Sequence, residues 1–110
     1  MMGLISEVLD AANADYKALT GLAVCVGPGS FTGLRVGVAT AKALAHVLGL
    51  PLVGIPTQEA IAAAAEGGEG TRLLVIQHAR RGHVYAGLWQ RSNGGAVELA
   101  APHVVAIEAL

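Results

Sequence analysis

Leu22-Ala23-Val24-Cys25-Val26-Gly27-Pro28-Gly29-Ser30-Phe31-Thr32-Gly33 is a continuous apolar run that breaks into a glycine-rich turn and then into helical sequence. A short apolar run bounded by turn residues reads as a buried strand, and this one ends at Gly27-Pro28-Gly29. The helix that follows is predicted over Phe31 to Leu48, with Ser30 or Thr32 placed to cap its orphan amides and Gly49 placed to stop it. A second apolar run, Leu52 to Ile55, follows at once. Two apolar strands flanking one long helix predict a right-handed β-α-β crossover with parallel strands, and hence an α/β fold. Strands apolar throughout are expected to be covered on both faces.

Upstream, Ile5, Val8, Leu9 and Ala12 keep helical spacing with Glu7 and Asp10 off the stripe, which predicts an amphipathic helix. Downstream, Thr57 opens an alanine-rich helix that runs out at Gly67-Gly68, and Glu59 sits where an acid favours the helix dipole. The polar, glycine-rich segment Glu66 to Gly70 is the best internal boundary, dividing a first region, 1–66, from a second, 71–110. In the second region Leu73 to Gln77 and His83 to Gln90 read as strands joined by Ala79-Arg80-Arg81-Gly82. A third strand begins after Ser92-Asn93-Gly94-Gly95, whose Asn-Gly pair suits a tight hairpin.

With 54% hydrophobic and 14% charged residues the chain of 110 residues is a packed globule of one small domain's length. No apolar run approaches the ~20 residues of a spanning helix, so no membrane partner is expected. The first residues lack the positive start of a secretory signal, and Cys25 is the only cysteine, which together predict a cytoplasmic protein without an internal disulfide. A net charge of −1 gives no overall positive field, so contact with nucleic acid is expected only through a partner.

Several residues invite a chemical reading. The turn Gly27, Pro28, Gly29, Ser30 and Thr32 presents backbone at a helix N-terminus, where an anion can bind. It lacks the lysine and hydroxyl of a phosphate loop, and the alternative is a tight turn that lets the helix pack close. Gly33, Gly37, Ala41 and Ala45 recur at every fourth position and leave one helix face nearly bare, fit either for another helix or for the chain's own sheet. Arg35, Lys42, Arg80 and Arg81 are candidate polar contacts, the alternative being solvated surface. His78 and His83 bracket a turn and are expected to face each other across a hairpin, without a third ligand, so no metal site is expected. His46 and His103 carry no signal, and Cys25 reads as core.

Taken together, Gly27 to Gly37, Ala41-Lys42-Ala43-Leu44-Ala45, Pro51-Leu52-Val53-Gly54, Thr57 to Ala62 and Ala79 to Tyr85 closely resemble the signature of the TsaB family, also called YeaZ. The resemblance covers nearly the whole chain. It implies an actin-like, ribonuclease-H-like ATPase fold without independent enzymatic power: part of a first lobe over 1–66 and the opening strands of a second over 71–110. It implies pairing with a TsaD-like catalytic subunit and a TsaE-like ATPase, which build threonylcarbamoyladenosine beside the anticodon of tRNA. Two strands are too few for an independently stable sheet of this kind, so the chain alone is also expected to cover its open edge by associating with another copy. No cofactor is expected on this chain by itself, ATP or ADP entering only with the assembled complex.

In the resembled family the glycine-signature helix and the helix before it form the dimer surface, which assigns Ile5, Val8, Leu9, Gly33, Gly37, Ala41 and Ala45 to an interface. The TsaD relatives carry two metal-binding histidines at positions matching Thr57 and Ile61, neither of which ligates a metal as imidazole does. A glycoprotease-like metallopeptidase or a nucleotide-binding enzyme of the actin-like superfamily is the alternative. The chain departs from the family at His78, where an acid is usual. It also starts inside the first helix and stops before the second lobe finishes, so a truncated member, or one with a misplaced start, is expected.

Overall fold

In the computed structural model, residues 2–109 are described, so the outermost residues of the two expected regions, Met1 and Leu110, lie outside the described residues. The chain runs as helix α1 (Met2–Ala11), a 3-10 turn (Tyr16–Ala18), strand β1 (Leu22–Cys25), helix α2 (Phe31–Leu48), strand β2 (Leu52–Ile55), helix α3 (Thr57–Ala64), strands β3 (Arg72–Arg80), β4 (His83–Ser92) and β5 (Gly95–Ala106), and a second 3-10 turn (Ile107–Ala109).

β1 and β2 pair in parallel, Leu22 opposite Leu52 and Cys25 opposite Ile55, with α2 as the crossover. Ser30 accepts a hydrogen bond from the Gly33 amide at 3.3 Å and is the N-cap; Thr32 stands exposed in the first turn. Gly49 ends the helix in the left-handed region, φ 67°, its N–H donating to the Ala45 carbonyl, which a residue with a Cβ adopts only with strain.

The expectation that both faces of this sheet are covered is not met. Burial alternates along β1, with Leu22 and Val24 half-buried and Ala23 and Cys25 exposed, and Val53 of β2 is 55% exposed. The reason is geometric: the single crossover helix lies over one face, and the apolar residues on the other meet no element of the described chain. Cys25 is accordingly exposed and does not belong to the core.

β3, β4 and β5 form an antiparallel sheet in sequence order. Asn93 (φ 52°) and Gly94 (φ 77°) make the two-residue turn between β4 and β5, both in the positive-φ region that such a hairpin requires. The β3–β4 connection is shorter than the four residues expected. Arg80 pairs with His83, so only Arg81 and Gly82 turn the chain, and Ala79 falls in a register shift between His78 and Arg80. The extra residue and the shorter turn put His78 opposite Val84, so His78 and His83 do not face each other.

α3 follows the first sheet in sequence but packs on the second, where Ala62 is fully buried against Val75 and Trp89. An alanine at the contact lets the helix axis come close to the strands, and the largest buried side chain, Trp89 at 2% exposure, fills the space beside it. The composition break at Glu66–Gly70 therefore separates helix from strand along the chain, while the packing of α3 joins 57–64 to the sheet of 72–106.

A candidate pairing groove and a clamped glycine turn

α1 is amphipathic but leaves much of its apolar surface bare. Leu4 is 65% and Val8 69% exposed, and Ile5 and Leu9 are half-buried. The Ser6 hydroxyl lies 3.2 Å from the Tyr16 hydroxyl and ties the helix to the 3-10 turn, whose amides at Lys17 and Ala18 are capped by Asp15. The result is an open apolar groove of about 420 Å³ between α1, β1 and α2. Ile5, Val8, Leu9, Gly37 and Ala41 all line it.

Of the interface residues expected from the sequence, the fold brings those five together and leaves two elsewhere. Gly33 sits exposed in the first turn of α2, nearest the Ser30 side chain, and Ala45 is buried within the chain. Gly37 faces the groove and β1 at once: a Cβ there would lie 3.9 Å from Val24, an ordinary contact with room beyond it. Periodicity alone placed all four small residues on one face. The packing of α2 splits that face into an exposed end, a groove-lining middle and a buried end.

The glycine turn is held from two sides. The Thr57 amide donates to the Gly27 carbonyl at 2.9 Å, and Gln77 Nε2 donates to the Pro28 carbonyl at 3.3 Å. Gly27 and Gly29 lie over Leu34, where an added Cβ would come within 3.2 and 3.7 Å of its side chain. The missing side chains thus let α2 fold back on the turn, and the carbonyls of the turn fasten it to α3 and β3. The oxygens Thr57 Oγ1 and Gln77 Oε1 are buried beside it without a protein partner.

Three residues that motif reading passes over turn out to organise the second sheet. Gln58, fully buried, donates to the Val75 and Tyr85 carbonyls, each at 3.3 Å, and accepts from Trp89 Nε1 at 2.9 Å. Gly87 makes room for it, since a Cβ there would stand 2.2 Å from Gln58 Oε1. Arg91 of β4 donates to the Ala63 carbonyl at 3.0 Å and to the Ala65 carbonyl, closing the C-terminus of α3. A signal for Gln58 exists in its spacing, because Gln58 and Ala62 stand four residues apart on one helical face and the polar member of a buried face needs partners. Arg91 and Gln77 leave no such trace.

The candidate polar residues stand at the surface. Arg35 lies over the Phe31 ring, 5.4 Å from its centroid, and Phe31 is itself 73% exposed. Lys42, Arg80, Arg81 and His78 are exposed, and His83 Nδ1 lies 3.2 Å from the Arg81 carbonyl. Among the described residues no three His, Cys, Asp or Glu side chains gather as a metal's ligand set, and no helix is long and apolar enough to cross a membrane.

A parallel β-α-β unit leading through a helix into an antiparallel meander is the partial architecture of an actin-like, ribonuclease-H-like α/β protein, and solved structures agree. YeaZ from Pseudomonas aeruginosa superposes with a TM-score of 0.81 at 27% identity, over 96% of this chain and 50% of that one. The family model described as "TsaD: tRNA N6-adenosine threonylcarbamoyltransferase" matches residues 1–110. Among curated relatives, the tRNA threonylcarbamoyladenosine biosynthesis protein TsaB of Bacillus subtilis is 38% identical over 93 residues, 84% of this chain and 40% of its own. The protein of that name from Escherichia coli is 34% identical over 96 residues, 86% of this chain and 42% of its own. The chain belongs to the TsaB (YeaZ) family within this TsaD-related group, and it spans about two-fifths of the length of those curated relatives.

Proposed function

We propose that the chain serves as a non-catalytic pairing subunit in the formation of N6-threonylcarbamoyladenosine in tRNA, docking on a TsaD-like catalytic subunit, with a TsaE-like ATPase as a further partner. The observation that carries this reading is the open groove between α1, β1 and α2, in which Ile5, Val8 and Leu9 stand opposite Gly37 and Ala41. An apolar cleft floored by small residues accepts the ridge of another helix at short distance, and burying it repays roughly 25 cal/mol per Å² of apolar surface. The same groove supports association of two copies when the partner is missing.

The non-catalytic half of the reading is supported by Thr57 and Ile61, which stand one turn apart on α3 where the catalytic relatives are expected to hold metal. Purified alone, the chain is expected to show no peptidase activity, no ATP hydrolysis above background and no stoichiometric zinc. Zinc that survives chelation and disappears in a His78→Ala/His83→Ala variant would falsify that half.

Co-expression with the cognate TsaD-like protein tests the pairing. The wild-type chain co-purifies, and Gly37→Leu or Ala41→Leu abolishes recovery of the pair while far-ultraviolet circular dichroism stays unchanged, because each adds a branched side chain to the groove floor. Recovery of both variants at wild-type yield would remove the groove from the interface.

A further inference from the structure

We propose that the face of α2 bearing Phe31, Arg35 and Lys42, together with the β3–β4 hairpin whose first strand Gln77 ties to the turn before that helix, is a contact surface for single-stranded RNA. The inference rests on the proposed function for the identity of that RNA as tRNA, and on the following geometry for the contact itself. Gln77 Nε2 donates to the Pro28 carbonyl at 3.3 Å, which fixes the outgoing end of β3 beside the start of α2. Three residues beyond Gln77, about 10 Å along the strand, come Arg80 and then Arg81, both exposed, the second in the hairpin turn itself. Three residues beyond Pro28 comes Phe31, 73% exposed, with the Arg35 guanidinium 5.4 Å from its ring centroid. Lys42 follows Arg35 about 10 Å further along the helix, and both line a shallow surface with Phe31.

Arg35, Lys42, Arg80 and Arg81 are four of the seven lysines and arginines of a molecule whose net charge is −1, two on one face of α2 and two on the hairpin whose first strand is tied to the turn before that helix. Carboxylates are near: Glu59 lies in the first turn of α3, and Glu108 follows Ile107, whose amide donates to the Gly82 carbonyl. The surface is therefore of modest charge and adds to the grip of an assembled complex without holding RNA tightly by itself. An acidic protein would be drawn by the cations alone. A largely bare aromatic ring already carrying a guanidinium is the added feature that fits nucleobases, which stack on aromatic rings and on guanidinium planes while neighbouring cations take the phosphates. The groove of the proposed pairing surface is lined by Gly37, Thr40, Ala41 and Leu44, and the surface proposed here by Phe31, Leu34, Arg35, Val38, Ala39 and Lys42, so α2 serves the two with different residues.

The test is fluorescence anisotropy of a labelled oligoadenylate of roughly ten nucleotides, a length such surfaces occupy, against the full chain alone and against its complex with the cognate TsaD-like protein. Weak, salt-sensitive binding by the chain is expected. Arg80→Glu/Arg81→Glu should lower affinity at least about tenfold at low salt and flatten the salt dependence, as loss of two phosphate contacts requires. Phe31→Ala should cost about 5- to 150-fold, the range of one stacked base. Co-purification with the partner should be unchanged in both variants. Absence of salt-dependent binding by the wild-type chain, equal affinity in both variants, or tighter binding of polyglutamate than of the oligoadenylate would each overturn the proposal. Failure of the wild-type chain to co-purify with the partner, with its RNA binding intact, would instead overturn the pairing reading and leave this one standing.

Discussion

Gln58 is the residue on which the second sheet depends most. Its amide spends both ends inside the protein, the NH₂ on the Val75 and Tyr85 carbonyls and the oxygen on Trp89, so truncation leaves groups on two strands and an indole N–H without that partner. A buried group left unsatisfied costs about 1–3 kcal/mol, and a cavity adds to it. Gln58→Ala is therefore expected to lower stability by about 2–4 kcal/mol in urea unfolding. Gly87→Ala is expected to be comparably destabilising, because its new methyl would occupy the place of Gln58 Oε1. Since both act through the same few cubic ångströms, the double variant should lose clearly less than the sum of the two. Strict additivity would show that Gly87 and Gln58 do not share that space. Trp89 is buried in the core, and its polar edge is satisfied by a residue 31 positions away, which no local pattern announces.

At the level of elements, the short helix α3 depends on its C-terminal cap. Its N-cap, Pro56, offers no side-chain hydrogen bond, and eight residues, half of them alanine, hold little helix on their own. Arg91 supplies the other end, donating to the Ala63 and Ala65 carbonyls where the helix dipole is negative. Arg91→Met keeps the aliphatic stem and removes the charge and donors. It is expected to cost about 1–2 kcal/mol and to speed amide exchange in α3 before it does so in β4. Uniform acceleration across the sheet would mean that Arg91 supports the strands and not the helix. The hairpins show the opposite balance between local and distant causes: Asn93-Gly94 announces its turn in two residues, whereas the pairing of β3 with β4 sets a two-residue turn at Arg81-Gly82, which separates two histidines that a four-residue turn would set face to face, and a register shift at Ala79.

Across the whole molecule, two sheets are joined through one turn. Thr57 and Gln77 hold the carbonyls of Gly27 and Pro28, so β3 positions the start of α2, and α2 in turn floors the groove proposed for pairing. Gln77→Ala removes the side-chain half of that tie. We expect a loss of about 1 kcal/mol in overall stability, together with weaker partner binding, although residue 77 lies outside the groove. A variant with unchanged affinity would show that the groove is set by the first sheet alone. The exposed face of β1 and β2, with Ala23, Cys25 and Val53 uncovered, belongs to this scale as well, since it follows from one helix crossing one side.

By itself the sequence determined the features whose causes lie within a few residues of one another. Ser30 caps the helix that follows it through an amide three residues away, Gly49 ends that helix, Asn93-Gly94 folds a hairpin, and two apolar runs around a single long helix leave a parallel crossover as the simplest connection. The family signature, concentrated in the glycine turn and the helix after it, was legible for the same reason. Only the tertiary structure decided that Cys25 is exposed, that Gly33 and Ala45 leave the groove to Gly37 and Ala41, and that Gln58, Gln77 and Arg91 hold the parts together. Those three contacts span 31, 49 and 28 residues, respectively, to Trp89, Pro28 and Ala63. A hydrogen bond of that span depends on where two separately formed elements come to rest against each other, which local periodicity and turn chemistry do not encode.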